Sequence, residues 1–306
     1  MRASFSTKRI VYLLYILVFA SYSFNASLRV PTVQTDTTDS SAFHPLQKGI
    51  PRRLIFVDTR YSSINELPRL VRENINNTIG IYSQYWKNET KPNIWFLGDE
   101  ACYTVIQEQY PDLLSYYLSE TFGPYKSDIC RAAALHQRGG YYFDNDLEVV
   151  QAMTAMTPNV TFIMPTMRYN NEYFAPNTFI AATPRHVIIE KTLDVMYQNY
   201  RENRTTEEKI MGPINLWQGY VSASAGYCTT ANSGCNAFWS IFNLTQVNLE
   251  KNKELYSDIP RRKGWGCCCN YIIHNLELGQ IYFWSRFLGS SGSCRFKGGK
   301  TADDID

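Results

Sequence analysis

The chain has 306 residues, and 30 Lys and Arg against 28 Asp and Glu leave a formal net charge of only +2. A near-neutral chain without a basic block interleaved with aromatic residues does not fit a nucleic-acid-binding protein. The length and the 44% hydrophobic content suit one large globular domain or two small ones.

The amino end carries an apolar run, 10–24, behind Arg2, Lys8 and Arg9. As a helix with a rise of about 1.5 Å per residue, this run spans roughly 22 Å, less than the ~30 Å hydrocarbon core of a bilayer. It is therefore either a short signal anchor or a cleaved signal peptide. The charges before it favour a cytoplasmic amino end and a lumenal body in both cases. We expect a single-pass type II protein of the Golgi or ER membrane, or a secreted one if the segment is cleaved.

Composition divides the chain into four predicted segments. They are a cytoplasmic tip with the signal segment (1–24), a flexible lumenal stem (25–49), a folded domain (50–295) and a polar tail (296–306).

Glycosylation sequons and cysteines also fit the secretory lumen. The sequons are at Asn25, Asn76, Asn88, Asn159, Asn203 and Asn243. The chain has eight cysteines, which we expect to form disulfides, although their connectivity cannot be read from the sequence. The run 267–269 lacks the Cys-x-x-Cys or His pair of a zinc site, which disfavours thiolate metal ligands.

Strand and helix patterns alternate through the first half of the folded domain. Strands are predicted at 54–57 and 93–97, and helices at 67–76, 101–109 and 112–118. This order indicates an α/β layered fold. Further on, the patterns predict strands at 160–164 and 173–182, a helix at 187–197 that His186 opens, a turn at 211–213, and closing strands at 271–274 and 281–285.

The stretch 126–146 is the most informative part of the chain. Ser127 is a candidate helix cap, the Ala-rich run 132–134 favours helix, and Gly139-Gly140 supplies the backbone freedom that ends it. Asp128 and Arg131, three residues apart, then share one helix face.

Asp144 and Asp146 follow the short aromatic strand 141–143 and point to the same side where this strand opens into a loop. Two carboxylates in this position suit Mn²⁺ or Mg²⁺, which keep open coordination positions for water and phosphate oxygens. The spacing alone is weak evidence, because Asp304-Ile305-Asp306 also has it.

Taken as one unit, the stretch resembles the DXD-containing glycosyltransferases of the family-32 type. These include α-1,6-mannosyltransferases, inositol phosphorylceramide mannosyltransferases and α-galactosyltransferases. The family has a Ser/Ala-Asp-x-x-Arg helix followed by a Gly-Gly-x-Tyr-x-Asp-x-Asp strand at the same spacing. The resemblance implies a GT-A-type nucleotide-sugar-binding fold with a mixed, mainly parallel central sheet. The chain differs from the family at 56–58, where the family has His-Gln-x-Trp.

The resemblance also implies roles for individual residues. Asp144, Asp146 and Arg131 would be catalytic, with Asp146 binding the metal directly and Asp144 supporting it and contacting ribose. The donor would be bound by Asp128, Asp144, Asn177 and Trp284. His274 would be a further metal ligand.

The implied activity is transfer of a hexose, mannose or galactose, from GDP-mannose or a UDP-hexose to a glycan or glycolipid, with retention of configuration. Two alternatives stay open. One is an inactive carbohydrate-binding pseudoenzyme of the same fold. The other is a metal-dependent phosphoesterase, which the four scattered histidines (44, 136, 186 and 274) disfavour because such a site needs further ligands.

Overall fold

The computed structural model describes residues 49–86, 91–153, 160–169, 172–204, 211–227, 244–248, 270–275 and 280–286. The predicted signal segment and polar tail, nearly all of the stem, and the cysteines after Cys130 lie outside these residues. None of the helices within the described ranges is both long enough and apolar enough to cross a bilayer.

A five-stranded mixed sheet forms the centre of the fold, in the order β2-β1-β3-β8-β5. Its strands are β1 (Arg53–Val57), β2 (Asn93–Leu97), β3 (Gly140–Phe143), β5 (Phe162–Ile163) and β8 (Phe179–Ala182). β1 pairs in parallel with both β2 and β3, whereas β8 is antiparallel to β3 and to β5. Only β8 therefore runs against the others, which agrees with the predicted mixed, mainly parallel sheet.

A second, antiparallel sheet was not anticipated as a unit. Its strands, in the order β4-β11-β10-β9, are β4 (Leu147–Val149), β11 (Gln280–Arg286), β10 (Asn270–Asn275) and β9 (Leu244–Asn248). The predicted closing strands are its β10 and β11. A small hairpin is formed by β6 (Met167–Tyr169) and β7 (Glu172–Phe174).

Six α-helices accompany these strands in the described part of the chain. They are α1 (Arg69–Tyr85), α2 (Asp99–Gln109), α3 (Leu114–Ser119), α4 (Gly123–Arg138), α5 (Val187–Arg201) and α6 (Met211–Tyr227).

Both faces of the central sheet pack against other elements, because successive side chains of a strand point to opposite faces. In β1, Ile55 belongs to the core formed with α2, α4 and α5, whereas Leu54 and Phe56 belong to the core formed with α1 and the second sheet. Phe283 of β11 joins the two sheets, with its ring centroid 4.6 Å from that of Phe179. Burial of each such ring contributes about 1.5–3 kcal/mol to stability.

Helix α4 begins four residues before the predicted cap. Its first residue is Gly123, Pro124 lies in the first turn, and Ser127 is inside the helix rather than at its end. The prediction for Ser127 was wrong because Pro124 favours an earlier start of the helix. The φ of proline is already helical, and its missing N–H is not needed in the first turn. The predicted end is confirmed: Gly139 has φ 59°, and a Cβ there would lie 2.6 Å from the Ala182 carbonyl oxygen.

The residues predicted as a turn at 211–213 instead form the first turn of α6. Pro213 is compatible with this position for the same reason as Pro124. Gly212 packs there against the side chains of Asn177 and Asp128.

Candidate active site

The chain creates a crevice between the carboxyl ends of β1 and β3. From β1 it continues to β2 on one side, and it returns to β3 on the other side of β1. Ligands of open α/β sheets bind at such a switch point. Asp58 follows β1 and Asp144 follows β3, so both lie at this edge.

Asp144, Asn145 and Asp146 form a tight turn between β3 and β4. The Asp144 N–H donates to the Thr178 carbonyl at 2.8 Å, and the Leu147 N–H donates to the Asp144 carbonyl at 2.9 Å. The backbone of this turn is therefore fixed by the residue that precedes β8 as well as by its own hydrogen bond. The two carboxylates lie at the strand end, where the sequence predicted them.

Arg131 is the buried cation of the site. Its Nη1 donates to Asp144 Oδ1 and to the Asn177 carbonyl oxygen, both at 2.8 Å. Its Nη2 lies 3.0 Å from Asp128 Oδ1. Burial disfavours the charged guanidinium, but the surrounding acidic groups, Asp144 first, raise the pKa of Arg131 above its ordinary value. Arg131 is thus a permanent positive charge behind the carboxylates.

Asp128 holds several elements together. Its Oδ1 accepts from Asn177 Nδ2 at 2.7 Å, and it also accepts from the Gly212 N–H. Burial, with the nearby Asp144 charge, raises the pKa of Asp128 to about 6, although Arg131 opposes the shift. These contacts make Asp128 a positioning residue for Arg131, Asn177 and the start of α6.

Gly212 permits this close contact. A Cβ at this position would lie 2.1 Å from Asn177 Nδ2 and 2.5 Å from the Asp128 carboxylate. No other residue type fits without displacing the two side chains.

Tyr142 is a site residue that sequence reasoning treated only as part of a strand. Its hydroxyl donates to Asp144 Oδ1 at 2.5 Å. The centroid of its ring lies 4.5 Å from the Arg131 guanidinium carbon. Burial raises the pKa of Tyr142 well above its ordinary value, so it is a neutral donor. The signal was available, since Tyr142 is the tyrosine of the Gly-Gly-x-Tyr-x-Asp-x-Asp pattern.

Asn177 comes shortly before β8, and His186 comes after it, at the start of α5. Asn177 is buried against Asp128 and Arg131, so its side chain supports the site from within. His186 caps α5, with its Nδ1 accepting from the Ile188 N–H at 3.2 Å, as the sequence predicted. Its ring stacks on Phe162 with the centroids 4.9 Å apart.

Trp284 and His274 belong to the second sheet. Trp284 pairs with Glu148 in β4, which directly follows the Asp144–Asp146 turn, so the register brings its strand beside the carboxylates. His274 lies at a bulge of β10 opposite Ile281. No three His, Cys, Asp or Glu side chains of the described ranges form a metal-binding group. The structure therefore does not bring His274 to Asp144 and Asp146 as a third ligand.

The residues present nevertheless fit a hard divalent cation. Such an ion is commonly held by one or two carboxylates, together with water and substrate phosphates. Asp144 and Asp146 supply these carboxylates. The Oδ1 atom of Asn145, between them, is buried and has no hydrogen-bond partner, which is an unsatisfied acceptor at the same turn.

A disulfide between Cys102 and Cys130 joins α2 to the site helix α4, with a Cα–Cα distance of 5.1 Å. Both cysteines are fully buried. The disulfides expected from the sequence thus include this one, whose pairing could not be read from the sequence.

Comparison with known proteins identifies the segment that contains this site. Residues 71–163 match the family model for the glycosyltransferase sugar-binding region containing the DXD motif. This segment is similar to the sugar-binding region of DXD-type glycosyltransferases. Asp128, Arg131 and the two carboxylates of the turn all lie inside the matched DXD region. Comparison with curated protein sequences finds no match.

Among solved structures, the chain is similar to the PaToxG glycosyltransferase, with 24% identity over 58% of this chain and 72% of that chain and a TM-score of 0.41. It is also similar to the bacterial N-acetylglucosamine transferase NleB, with 13% identity over 63% of this chain and 91% of that chain and a TM-score of 0.33. The UDP-bound glycosyltransferase domain from the YGT toxin has 12% identity over 52% of this chain and 45% of that chain, with a TM-score of 0.26.

Proposed function

We propose that the protein is a metal-dependent glycosyltransferase that transfers a hexose, mannose or galactose, from a nucleotide sugar to a glycan or glycolipid acceptor with retention of configuration. One observation carries the proposal. The buried Arg131 is paired with Asp144 at 2.8 Å, in a turn at the switch point of the sheet and within the matched DXD region.

Asp144 and Asp146 would hold Mn²⁺ or Mg²⁺, which when bound neutralises charge on a diphosphate. Arg131 adds a fixed positive charge behind Asp144. Its field stabilises the negative charge that develops on the departing diphosphate as the bond to the anomeric carbon breaks. Tyr142 and Asn177 keep Arg131 and Asp144 in position, so they need no rearrangement when the charge appears.

The lumen of the Golgi or ER is the proposed location. The buried Cys102–Cys130 disulfide supports an oxidising compartment. The apolar segment behind basic residues at the amino end supports membrane anchoring with a lumenal body.

The deciding experiment is a donor screen with Mn²⁺ present, in which transfer and hydrolysis of GDP-mannose, UDP-galactose and UDP-glucose are measured. We expect turnover of one donor and a loss of at least about 100-fold in kcat for Asp146→Ala. Asp112→Ala is the matched control, because Asp112 is an exposed aspartate in the short 3₁₀ turn 111–113, away from the crevice.

The same screen tests the two alternatives. Donor binding without turnover would instead support a carbohydrate-binding pseudoenzyme. Hydrolysis of simple phosphate esters, with no use of sugar nucleotides, would support a phosphoesterase. Full activity of Asp146→Ala would refute the proposed metal site.

A further inference from the structure

Four adjacent strands of the central sheet each have a basic residue at the edge opposite the crevice. In the order of the sheet, they are Lys91 before β2, Arg53 at the start of β1, Arg138 before β3, and Arg185 after β8. Because β8 is antiparallel to β3, its carboxyl end lies beside the amino ends of the other three strands. We call these four residues the basic row. With about 4.8 Å between neighbouring strands, the row spans roughly 15 Å.

Contacts between the strands hold the middle of the basic row in place. Arg53 Nη1 donates to the Arg138 carbonyl oxygen at 2.6 Å, at the end of α4. The guanidinium carbons of Arg53 and Arg138 lie 5.8 and 4.9 Å from the centroid of the Trp95 ring in β2. The Arg185 N–H donates to the His136 carbonyl at 2.8 Å, which fixes the backbone of Arg185 beside the same helix end.

The positive charge of the basic row is not neutralised by ion pairs. Within the part of the chain that the structure describes, none of its four members lies within salt-bridge distance of a carboxylate. Lys91, Arg138 and Arg185 are exposed, and Arg53 is half-buried. Burial, together with the charge of Arg138, lowers the pKa of Arg53, as expected where two cations lie close to each other.

Two carboxylates lie near one end of the row without cancelling its charge. Glu108 in α2 accepts from Gln137 Nε2 at 2.5 Å, and Glu190 in α5 acts on the charge of His136. Four basic side chains against these two acidic ones leave an excess of positive charge. The crevice edge carries the carboxylates of the candidate active site, so the two edges of the sheet have opposite charge.

The arrangement of the basic row favours an extended anionic surface over a single small anion. Its cations are distributed one to each strand and do not converge on one point. A Lys or Arg near an anionic lipid surface contributes about 1 kcal/mol, and this attraction falls off within a Debye length of about 10 Å. Trp95, half-buried beside two of the arginines, is of a residue type that is enriched at membrane interfaces.

The course of the chain also leads to this edge. Strand β1 begins there, so the predicted stem, 25–49, joins the folded domain beside Arg53. A flexible stem of this length has a root-mean-square end-to-end distance of roughly 25–30 Å. If the apolar run 10–24 is held in a bilayer, the stem keeps the basic row within reach of the lipid headgroups.

We propose that the basic row docks on an anionic phospholipid surface and thereby holds the crevice away from the bilayer. Strand β1, five residues at about 3.3 Å each, separates the two edges by roughly 16 Å. Four charges supply roughly 4 kcal/mol, which orients a tethered domain but does not anchor it alone. The proposal goes beyond the proposed function, because docking requires no donor, acceptor or turnover.

The test is arginine footprinting of the full chain with phenylglyoxal, read by mass spectrometry. The chain is floated with vesicles of phosphatidylcholine alone, or of phosphatidylcholine and phosphatidylserine in equal parts. Modification of Arg138 and Arg185 should be slower by at least about fivefold on the anionic vesicles. Salt at about 1 M, which shortens the Debye length to about 3 Å, should abolish this difference.

Arg69 and Arg201 are internal controls, with side chains that are 59% and 52% exposed. Arg69 begins α1, whose Asn74 donates to the Asn145 carbonyl of the DXD turn at 2.8 Å, so this part of α1 lies on the crevice side. Arg201 ends α5, whose 15 residues at about 1.5 Å each place it roughly 21 Å from the helix start beside the basic row. Both should be modified at equal rates on the two kinds of vesicle.

The double variant Arg138→Gln with Arg185→Gln tests the row itself, with acetylation of Lys91 as the readout. In the original protein, anionic vesicles should slow this acetylation. In the variant, the rate should return to within about twofold of that on neutral vesicles, because half of the charge is lost. Arg69→Gln with Arg201→Gln is the matched control and should leave Lys91 protected. Circular dichroism and the melting temperature verify that both variants fold.

Several results would overturn the proposal. One is equal footprints on the two kinds of vesicle, and another is a chain that floats with neither. Equal slowing by inorganic phosphate in solution would show a small-anion site instead. Slowing by heparin but not by anionic vesicles would show an acidic glycan as the partner. None of these readouts uses a sugar nucleotide, so failure of the donor screen and failure of this proposal are distinguishable.

Discussion

Arg131 Nη1 lies 2.8 Å from Asp144 Oδ1, and this bond joins the middle of α4 to the turn that follows β3. The same nitrogen donates to the Asn177 carbonyl oxygen, and Nη2 reaches Asp128. One planar guanidinium therefore satisfies acceptors from three separate parts of the chain. Lysine has a single ammonium and cannot reproduce this fork.

We predict that Arg131→Lys reduces kcat by about 100-fold while leaving the protein folded, because charge is kept but its placement is lost. Steady-state rates with the donor identified in the screen, together with circular dichroism, measure the two effects. An activity within about twofold of the original would show that the geometry of the fork is not needed for transfer.

Gly212→Ala should destabilise the protein by about 1–3 kcal/mol, the usual cost of overpacking a buried site. The added methyl group would meet Asn177 Nδ2 and the Asp128 carboxylate. Urea denaturation gives the free energy of unfolding.

Gly80→Ala is its control. Gly80 lies within α1, and a Cβ there meets nothing within 4 Å. Alanine should stabilise this helix by about 0.5–1 kcal/mol. Equal effects at the two glycines would refute the close packing at Gly212.

The difference between these glycines shows where sequence reasoning reached its limit. The strands β1, β2 and β3 and the end of α4 were predictable, because apolar runs and Gly139 act on their own neighbours. The contact of Gly212 with Asp128, and the pairing of Leu147 with Ser285, join residues distant in the chain. No local pattern specifies them. The sequence therefore predicted that Asp128 and Arg131 share a helix face, but not their contacts with Asn177 and Gly212.

Stability should depend on His186 at mildly acidic pH. Burial lowers the pKa of His186 from 6.5 to about 4. Between these values the unfolded chain binds the proton and the folded protein does not, so the free energy of unfolding rises with pH through this window. At low pH, where both states are protonated, this shift lowers the free energy of unfolding by about 3 kcal/mol relative to neutral pH.

His186→Asn isolates this contribution, since asparagine can also cap α5 but does not titrate. The difference in unfolding free energy between the original protein and the variant should increase from pH 4 to pH 6.5. Asp128, whose raised pKa has the opposite effect in the same window, is common to both proteins and cancels. A difference that does not vary with pH would contradict the burial of a neutral His186.

Of the two sequon asparagines in the described residues, Asn203 is the more accessible for attachment of a glycan. It is exposed in the turn after α5 with φ 56°, whereas Asn76 is exposed within α1 and its partner Thr78 is buried with its hydroxyl bonded to the Asn74 carbonyl. We expect a glycan on Asn203 when the chain is expressed through the secretory pathway. Asn203→Gln should then remove one step from the gel shift produced by glycosidase. An unchanged shift would show that Asn203 is not modified.

The Cys102–Cys130 bond should contribute to the stability of the site helix as well as of the whole domain. It closes a loop with a sequence separation of 28, for which the loss of unfolded-state entropy corresponds to about 3.6 kcal/mol. The double replacement Cys102→Ala with Cys130→Ala should lower the free energy of unfolding by about this amount. Because α4 carries Arg131 and Asp128, donor affinity should fall along with stability.

The bond itself can be verified by peptide mapping without reductant, which should recover Cys102 and Cys130 in one linked species. Reductant should lower the melting temperature of the original protein and leave that of the double variant unchanged. If the two cysteines are alkylated in the folded, unreduced protein, the bond is absent. The support that it gives to a lumenal location would then be lost, while the contacts of Arg131 and Asp128 would still stand, since neither residue depends on sulfur for its partners.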